Sequence, residues 1–141
     1  GDGPEKIINE IKKNIKEKDL EKNIEIIGVV YDFKRKFELL SQSKIFVLPS
    51  YEENWAIVIG EAMAVNIPVI CYNLKEINPI WKDNVEWVRK GDINSFSKKI
   101  LEYLNNGKKR ENISKKANEF IKKYEWKRIA EDELKYILGE K

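Results

Sequence analysis

The sequence of 141 residues contains no histidine, one cysteine (Cys71) and one methionine (Met63). Without histidine, the chain cannot supply a Ser-His-Asp triad, a histidine general base or an imidazole ligand for a metal ion. A single cysteine excludes an internal disulfide and a cysteine-rich zinc site. Cys71 ends the apolar run 67–71, which predicts a buried strand residue rather than a nucleophile.

Long uncharged segments and a strong net charge are also absent. The longest uncharged stretch, residues 62–74, has 13 residues and includes Asn66, Pro68 and Asn73, so it is too short and too polar to span a bilayer. A net charge of +3 gives little support for nucleic acid as a partner. Basic residues exceed acidic ones from residue 98 onward, but the two are interleaved, which favours a solvated face over an RNA- or membrane-binding surface.

The chain does contain enough apolar material for one domain, with 42% hydrophobic and 36% charged residues. Strands are predicted at residues 24–30, 45–48, 67–72 and 85–88. Helices are predicted at residues 4–15, 37–40, 55–65, 96–104, 113–121 and 126–138, with a short helix or turn at 76–81. This alternation of strands and helices predicts a parallel α/β sheet, and Asn66 is predicted to take the left-handed position that ends a helix.

The loop at residues 49–56 follows a predicted strand and leads into a predicted helix. Ligands of parallel α/β sheets bind beyond the carboxyl ends of the strands, where such loops lie. If the helix begins near Trp55 or Ala56, the backbone N–H groups of Ala56, Ile57 and Val58 form an anion site that suits a phosphate.

Glu53 stands just before this helix and Glu61 about one and a half turns inside it. Carboxylates in these positions can accept hydrogen bonds from sugar hydroxyls. Spacing alone favours a simpler interpretation, in which Glu53 stabilises the positive end of the helix and Glu61 is exposed.

The block from Glu53 to Glu61, preceded by Pro-Ser at 49–50 and followed by Ala-Met-Ala at 62–64, resembles the Glu-x7-Glu signature of retaining, nucleotide-sugar-dependent glycosyltransferases of the glycogen synthase and sucrose synthase type. The Gly-Asp-Gly-Pro at residues 1–4 has the place expected in the carboxyl-terminal domain of these two-domain enzymes. The resemblance implies the GT-B fold, with a Rossmann-like parallel sheet and flanking helices.

The resemblance also implies roles for individual residues. It assigns Glu61 to the ribose hydroxyls of the nucleotide and Glu53 to a catalytic place beside the transferred sugar. The donor-binding residues that it implies are Val30, Tyr31, Asn54, Trp55, Ala56, Ile57, Val58 and Glu61. The family requires no metal ion, and no cofactor is expected besides the nucleoside-diphosphate-sugar donor, which is the substrate. Asn54 and Ala56 stand where the family usually has glycines.

The resemblance covers residues 1–141 as a partial donor-binding domain, without the first strand-helix-strand and the amino-terminal acceptor domain. In the strand order 3-2-1-4-5-6, the strands near residues 26 and 47 would then lose their neighbours. We therefore expect the chain to be an inactive piece of a larger enzyme, completed by its own further domain or a second chain, or to self-associate through an open strand edge.

The expected enzyme is a hexosyltransferase of polysaccharide or glycolipid biosynthesis. The expected location is cytoplasmic, and peripheral contact with the inner face of the membrane is compatible with it. Nucleic acid is not an expected partner. The alternative is a non-catalytic α/β module that binds a nucleotide or a protein.

Overall fold

The computed structural model describes residues 3–124, 134, 135 and 137. The chain divides into two compact units, residues 1–36 and residues 37–141. The helices and strands are α1 (Glu5–Glu17), α2 (Phe33–Ser41), β1 (Phe46–Leu48), α3 (Ile57–Ala64), β2 (Val69–Asn73), α4 (Asn78–Trp81), β3 (Glu86–Arg89), α5 (Ile93–Asn105) and α6 (Gly107–Ile121). Single 3-10 turns follow α4 and α6.

The first unit contains the predicted amino-terminal helix. α1 begins directly after Pro4, whose carbonyl oxygen accepts hydrogen bonds from the backbone N–H groups of Ile7 and Ile8 at 2.9 and 3.2 Å. Proline favours this boundary because its ring fixes φ and its missing N–H would be unpaired in a first turn anyway. The helix prediction is confirmed here.

The strand predicted at residues 24–30 is wrong, since this segment has no regular secondary structure. Ile24, Ile26 and Ile27 are 44%, 42% and 53% exposed. β-Branched residues favour extended backbone, but a strand also needs a neighbour that pairs with its N–H and C=O groups. The β-branched run favours extended backbone, but no neighbouring strand pairs with it among the described residues.

The second unit contains a parallel three-stranded sheet in the order β1-β2-β3. Leu48 pairs with Cys71, and Tyr72 pairs with Val88. Four of the five residues of the central strand β2 are buried, as expected of a parallel strand covered on both faces. The predicted parallel α/β sheet is confirmed, and its strands lie side by side as the last three do in the order 3-2-1-4-5-6.

The predicted left-handed residue at the end of α3 is confirmed. Asn66 has φ 59°, its N–H donates to the carbonyl oxygen of Met63 at 3.1 Å, and the N–H of Ile67 donates to that of Ala62 at 2.9 Å. These two bonds form a Schellman motif, in which asparagine is the usual substitute for glycine. The motif ends α3 and turns the chain directly into β2.

Helix α3 packs against β2 on one side and α6 on the other. Ile59 and Met63 are fully buried in this core. The side-chain amide of Asn118, on α6, is also buried, and its Nδ2 donates to the carbonyl oxygens of Met63 and Ala64 at 3.0 Å each. Asn118 therefore satisfies the carboxyl end of α3 from a neighbouring helix.

A charged cluster lies at the amino end of β3, opposite the carboxyl ends of the strands. Glu86 accepts a hydrogen bond from the hydroxyl of Tyr103 at 2.6 Å and lies 3.0 and 3.7 Å from the Nζ atoms of Lys99 and Lys109. Burial opposes ionisation of Glu86, but these partners outweigh it and lower the pKa of the carboxyl group. Two lysines of the late basic excess therefore bind α5 and α6 to the sheet.

The helix predicted at 126–138, including Trp126, lies largely outside the described residues. Over the part of the chain that is described, no helix combines the length and the hydrophobicity needed to cross a lipid bilayer.

Candidate functional site

The loop at residues 49–56 joins the carboxyl end of β1 to the amino end of α3. The helix begins at Ile57, two residues later than predicted. The N–H of Ile59 donates to the carbonyl oxygen of Ala56 at 2.9 Å. The N–H groups of Ile57 and Val58 belong to the first turn, where the helix itself offers no acceptor, and they lie at the ligand-binding edge of the sheet.

Ala56 adopts the left-handed conformation, with φ 52° and ψ 57°, although it is 7% exposed and carries a side chain. A methyl group in this conformation approaches the following carbonyl oxygen, at a cost of about 1–2 kcal/mol. The conformation gives a physical reason for the glycine that the resemblance leads one to expect at this position. Here the backbone keeps the glycine geometry while the residue is alanine.

The variant Ala56→Gly is expected to increase the free energy of unfolding by about 0.5–1 kcal/mol. Relief of the left-handed strain exceeds the additional chain entropy that glycine gives the unfolded state. Urea denaturation followed by circular dichroism measures the change. The matched control Ala64→Gly, in the right-handed part of the same helix, is expected to lower stability by about 1 kcal/mol. A loss of stability in both variants would contradict the assigned strain.

Three predicted site residues line one cavity of about 360 Å³ that extends along α3. Glu61 is half-buried there, while Trp55 and Ile57 are 48% and 66% exposed. The complete lining consists of Phe37, Trp55, Ile57, Gly60, Glu61, Ala64, Ile80, Trp81, Ile121 and Tyr124. The cavity thus combines an apolar and aromatic wall with a single carboxylate.

A second cavity, of about 370 Å³, is lined by Glu52, Glu53, Asn54 and Glu76. Three of its four lining residues are carboxylates, which can accept hydrogen bonds from several hydroxyl groups of one ligand. Burial, and secondarily the negative charge of Glu53, raise the pKa of the Cys71 thiol to about 12. Glu53, in the loop after β1, therefore lies within electrostatic range of Cys71 in the neighbouring strand β2.

Glu76, Gly60 and Trp81 were not among the predicted site residues. Trp81 is 5% exposed, and its indole Nε1–H donates to the carbonyl oxygen of Trp55 at 2.9 Å. A Cβ atom added to Gly60 would lie 3.1 Å from both Cη2 of Trp81 and Cδ1 of Ile121. Two of the three carry a signal in the sequence: Glu76 ends the 73–76 loop that follows a predicted strand, and Trp81 is an aromatic residue near the predicted site, for which the sequence favours core packing.

The remaining predicted residues are Ala56 and Val58 of the second unit and Val30 and Tyr31 of the first. Ala56 and Val58 line neither of the two. Val30 and Tyr31 belong to the first unit, where Val30 is half-buried and Tyr31 is 90% exposed. The contact of this turn with a nucleotide base stays a prediction.

Comparison with known proteins identifies the family. Residues 1–120 match the family model described as "Glycosyl transferases group 1". The chain belongs to this family. The resemblance drawn from the Glu53–Glu61 block is therefore confirmed at the level of the family, and the GT-B fold agrees with the structural neighbours of this group 1 glycosyltransferase chain. The roles of individual residues stay predictions.

Three relatives illustrate the similarity. An uncharacterised glycosyltransferase of Methanocaldococcus jannaschii is 28% identical over 130 residues, which are 91% of this chain and 36% of that protein. The sulfoquinovosyl transferase SQD2 of Arabidopsis thaliana is 29% identical over 136 residues, which are 90% of this chain and 24% of that protein. The crystal structure of a TarM mutant of S. aureus, in complex with UDP and other ligands, superimposes with a TM-score of 0.77 at 28% identity, covering 89% of this chain and 26% of that one. The group 1 chain thus spans about a third or less of each relative.

Proposed function

We propose that this chain is the donor-binding part of an enzyme that transfers a sugar from a nucleoside diphosphate sugar to an acceptor, with retention at the anomeric carbon. Membership of the group 1 family is the observation that carries the proposal. The arrangement around α3 supports it, because the helix begins at the carboxyl edge of a parallel sheet, and Glu53 and Glu61 each line a cavity that includes residues of the 49–56 loop.

The nucleotide is assigned to the start of α3. Glu61 accepts hydrogen bonds from the ribose hydroxyls, beside the aromatic wall of the 360 Å³ cavity. The diphosphate binds the backbone N–H groups of Ala56, Ile57 and Val58. The positive end of the helix dipole stabilises the charge on the leaving diphosphate, so the proposal includes no metal ion.

The transferred sugar is assigned to the second cavity, with Glu53, Asn54 and Glu76. When the bond between the anomeric carbon and the diphosphate breaks, positive charge develops on the sugar ring. A carboxylate at Glu53 stabilises that charge. Retention requires that the acceptor oxygen forms its new bond on the face that the diphosphate leaves, while the acceptor's proton passes to the departing phosphate oxygen.

The acceptor is assigned to a part of the enzyme beyond this chain. The chain spans 36% and 24% of two curated relatives, and the proposal assigns the acceptor site to a further domain or a second chain. Without it the chain holds only one of the two reactants, and we expect little transfer by the chain alone. TarM was crystallised in complex with UDP, which makes uridine diphosphate one of the two nucleotides to test.

Titration of the isotope-labelled chain with UDP and GDP, followed in proton–nitrogen spectra, tests the proposal. The amide signals of residues 54–58 are expected to move with one of the nucleotides. Glu61→Ala is expected to weaken that affinity about 10- to 100-fold, since hydrogen bonds to a charged group contribute about 1.5–3 kcal/mol. Glu119→Ala removes an exposed carboxylate of α6 and serves as the control, with an affinity within about twofold of the unaltered chain.

Two results would contradict the proposal. A folded chain that binds neither nucleotide would favour the alternative of an α/β module that binds a protein. A Glu61→Ala chain that binds a nucleotide as tightly as the unaltered chain would remove Glu61 from the site.

A further inference from the structure

Trp81 connects the loop that carries Glu53 to the helix that carries Glu61. Its indole N–H donates to the carbonyl oxygen of Trp55, and the two indole rings lie 6.4 Å apart. The far edge of the same ring reaches the backbone of α3 at Gly60, where an added Cβ atom would meet it at 3.1 Å. One buried side chain thus contacts both elements of the proposed donor site.

Trp81 is itself held in place. Its N–H donates to the carbonyl oxygen of Ile77 at 3.1 Å, and its carbonyl oxygen accepts a hydrogen bond from the buried side-chain amide of Asn84 at 3.0 Å. The ring is 5% exposed. The backbone N–H and C=O of Trp81 are both hydrogen-bonded, and its ring is packed in the core. Trp81 can therefore orient the more exposed 49–56 loop, whereas the loop cannot readily move Trp81.

The hydrogen bond from Trp81 to the Trp55 carbonyl fixes the orientation of the whole peptide group between Trp55 and Ala56. The peptide group between Trp55 and Ala56 is planar, so its C=O and N–H point in opposite directions. Trp81 therefore sets the direction of the Ala56 N–H. On the other side, the Ala56 carbonyl is held by the N–H of Ile59 at 2.9 Å. Both peptide planes flanking the left-handed residue are held by hydrogen bonds, which explains how its strain persists.

We propose that Trp81 is a positioning residue for the donor diphosphate: it orients the Ala56 N–H, and with it the Glu53 loop, through its hydrogen bond to the Trp55 carbonyl. This inference rests on the proposed function for its ligand. In this proposal Trp81 contacts no reacting atom of the donor, and it acts only through the peptide group between Trp55 and Ala56.

The variant Trp81→Phe removes the donor while it retains an aromatic ring. Its matched control is Trp87→Phe, because the indole N–H of Trp87 also donates to a backbone carbonyl, that of Lys82 at 2.5 Å, outside the 49–56 loop. In the chain without ligand, hydrogen exchange of the Ile59 amide, which donates to the Ala56 carbonyl, is expected to be at least about tenfold faster in Trp81→Phe and unchanged in Trp87→Phe. The affinity for UDP or GDP is expected to fall about 3- to 12-fold in Trp81→Phe only, the effect of one lost hydrogen bond.

The unaltered chain provides a second measurement if Trp81→Phe does not fold. Exchange of the Trp81 indole proton is expected to slow when UDP or GDP binds, and that of Trp87 is not, since only the first is coupled to the occupied loop. Equal nucleotide affinities for folded Trp81→Phe and Trp87→Phe would overturn the inference and leave the proposed function intact. If the unaltered chain binds neither nucleotide, the proposed function fails. Unchanged exchange of the Ile59 amide in Trp81→Phe would then overturn the positioning role as well.

Discussion

Gly60→Val is expected to lower the free energy of unfolding by about 2–3 kcal/mol, as overpacking of a filled core does. The first carbon of the new side chain would already lie 3.1 Å from Trp81 and from Ile121, closer than a carbon contact at its optimal separation of about 3.5–4.0 Å. Valine adds two more methyl groups at the same place, and Trp81 cannot retreat without breaking its bond to Trp55.

Urea denaturation of the Gly60 series measures this effect. Gly60→Ala is the graded control: its gain in helix propensity of about 1 kcal/mol offsets the milder clash, so its stability stays near that of the unaltered chain. Because Ile121 is half-buried and meets Gly60 only with the end of its side chain, the strain falls mainly on Trp81. Equal stability of the valine and alanine variants would mean that this packing is looser than described.

Asn118→Asp is expected to lower the free energy of unfolding by about 3 kcal/mol at pH 7, the effect of an unpaired buried charge. The side-chain nitrogen that donates to the carbonyl oxygens of Met63 and Ala64 would be replaced by a carboxylate oxygen facing both. Asn118→Ala removes the donor without adding charge and is expected to cost about 1–2 kcal/mol.

The two Asn118 variants separate the charge from the lost hydrogen bonds by their pH dependence. Burial against two carbonyl oxygens raises the folded-state pKa of the new carboxyl group above its unfolded value of about 3.9. The loss of stability is therefore small near the unfolded pKa and grows as the pH rises toward the folded one. Denaturation relative to the unaltered chain at pH 5 and pH 7 should show this slope for Asn118→Asp and a flat response for Asn118→Ala. A flat response for both would indicate that water reaches this position.

Local patterns in the sequence predicted most of the fold. The spacing of isoleucines after Pro4, the buried run at 67–71 and the asparagine at the end of α3 each specify structure through contacts within a few residues, and each prediction is confirmed. The strand predicted at residues 24–30 is the exception, because pairing depends on a neighbour that the run itself does not reveal.

The candidate site was predictable only in part. Glu53 and Glu61 could be identified from their spacing within a recognisable block. The contact from Trp81 to Trp55 joins residues 26 positions apart, and Glu76 meets Glu53 only because β1 and β2 are neighbours. Such contacts arise from tertiary packing, which one sequence does not encode in any local pattern. Ala56 is intermediate, since a glycine was expected there but the left-handed backbone became clear only in the structure.

The single cysteine, Cys71, can report local opening of the folded chain through the reactivity of its thiol. Cys71 lies in the middle strand of the sheet with its side chain 1% exposed and its thiol pKa raised to about 12. Only the thiolate attacks common alkylating and disulfide reagents, so the folded chain is doubly protected, by inaccessibility and by the proton. Labelling at neutral pH therefore requires an open state in which solvent reaches the Cys71 thiol, and the labelling rate follows the population of that state. The native cysteine is thus sufficient to measure how ligands or substitutions at α3 change local opening around Cys71.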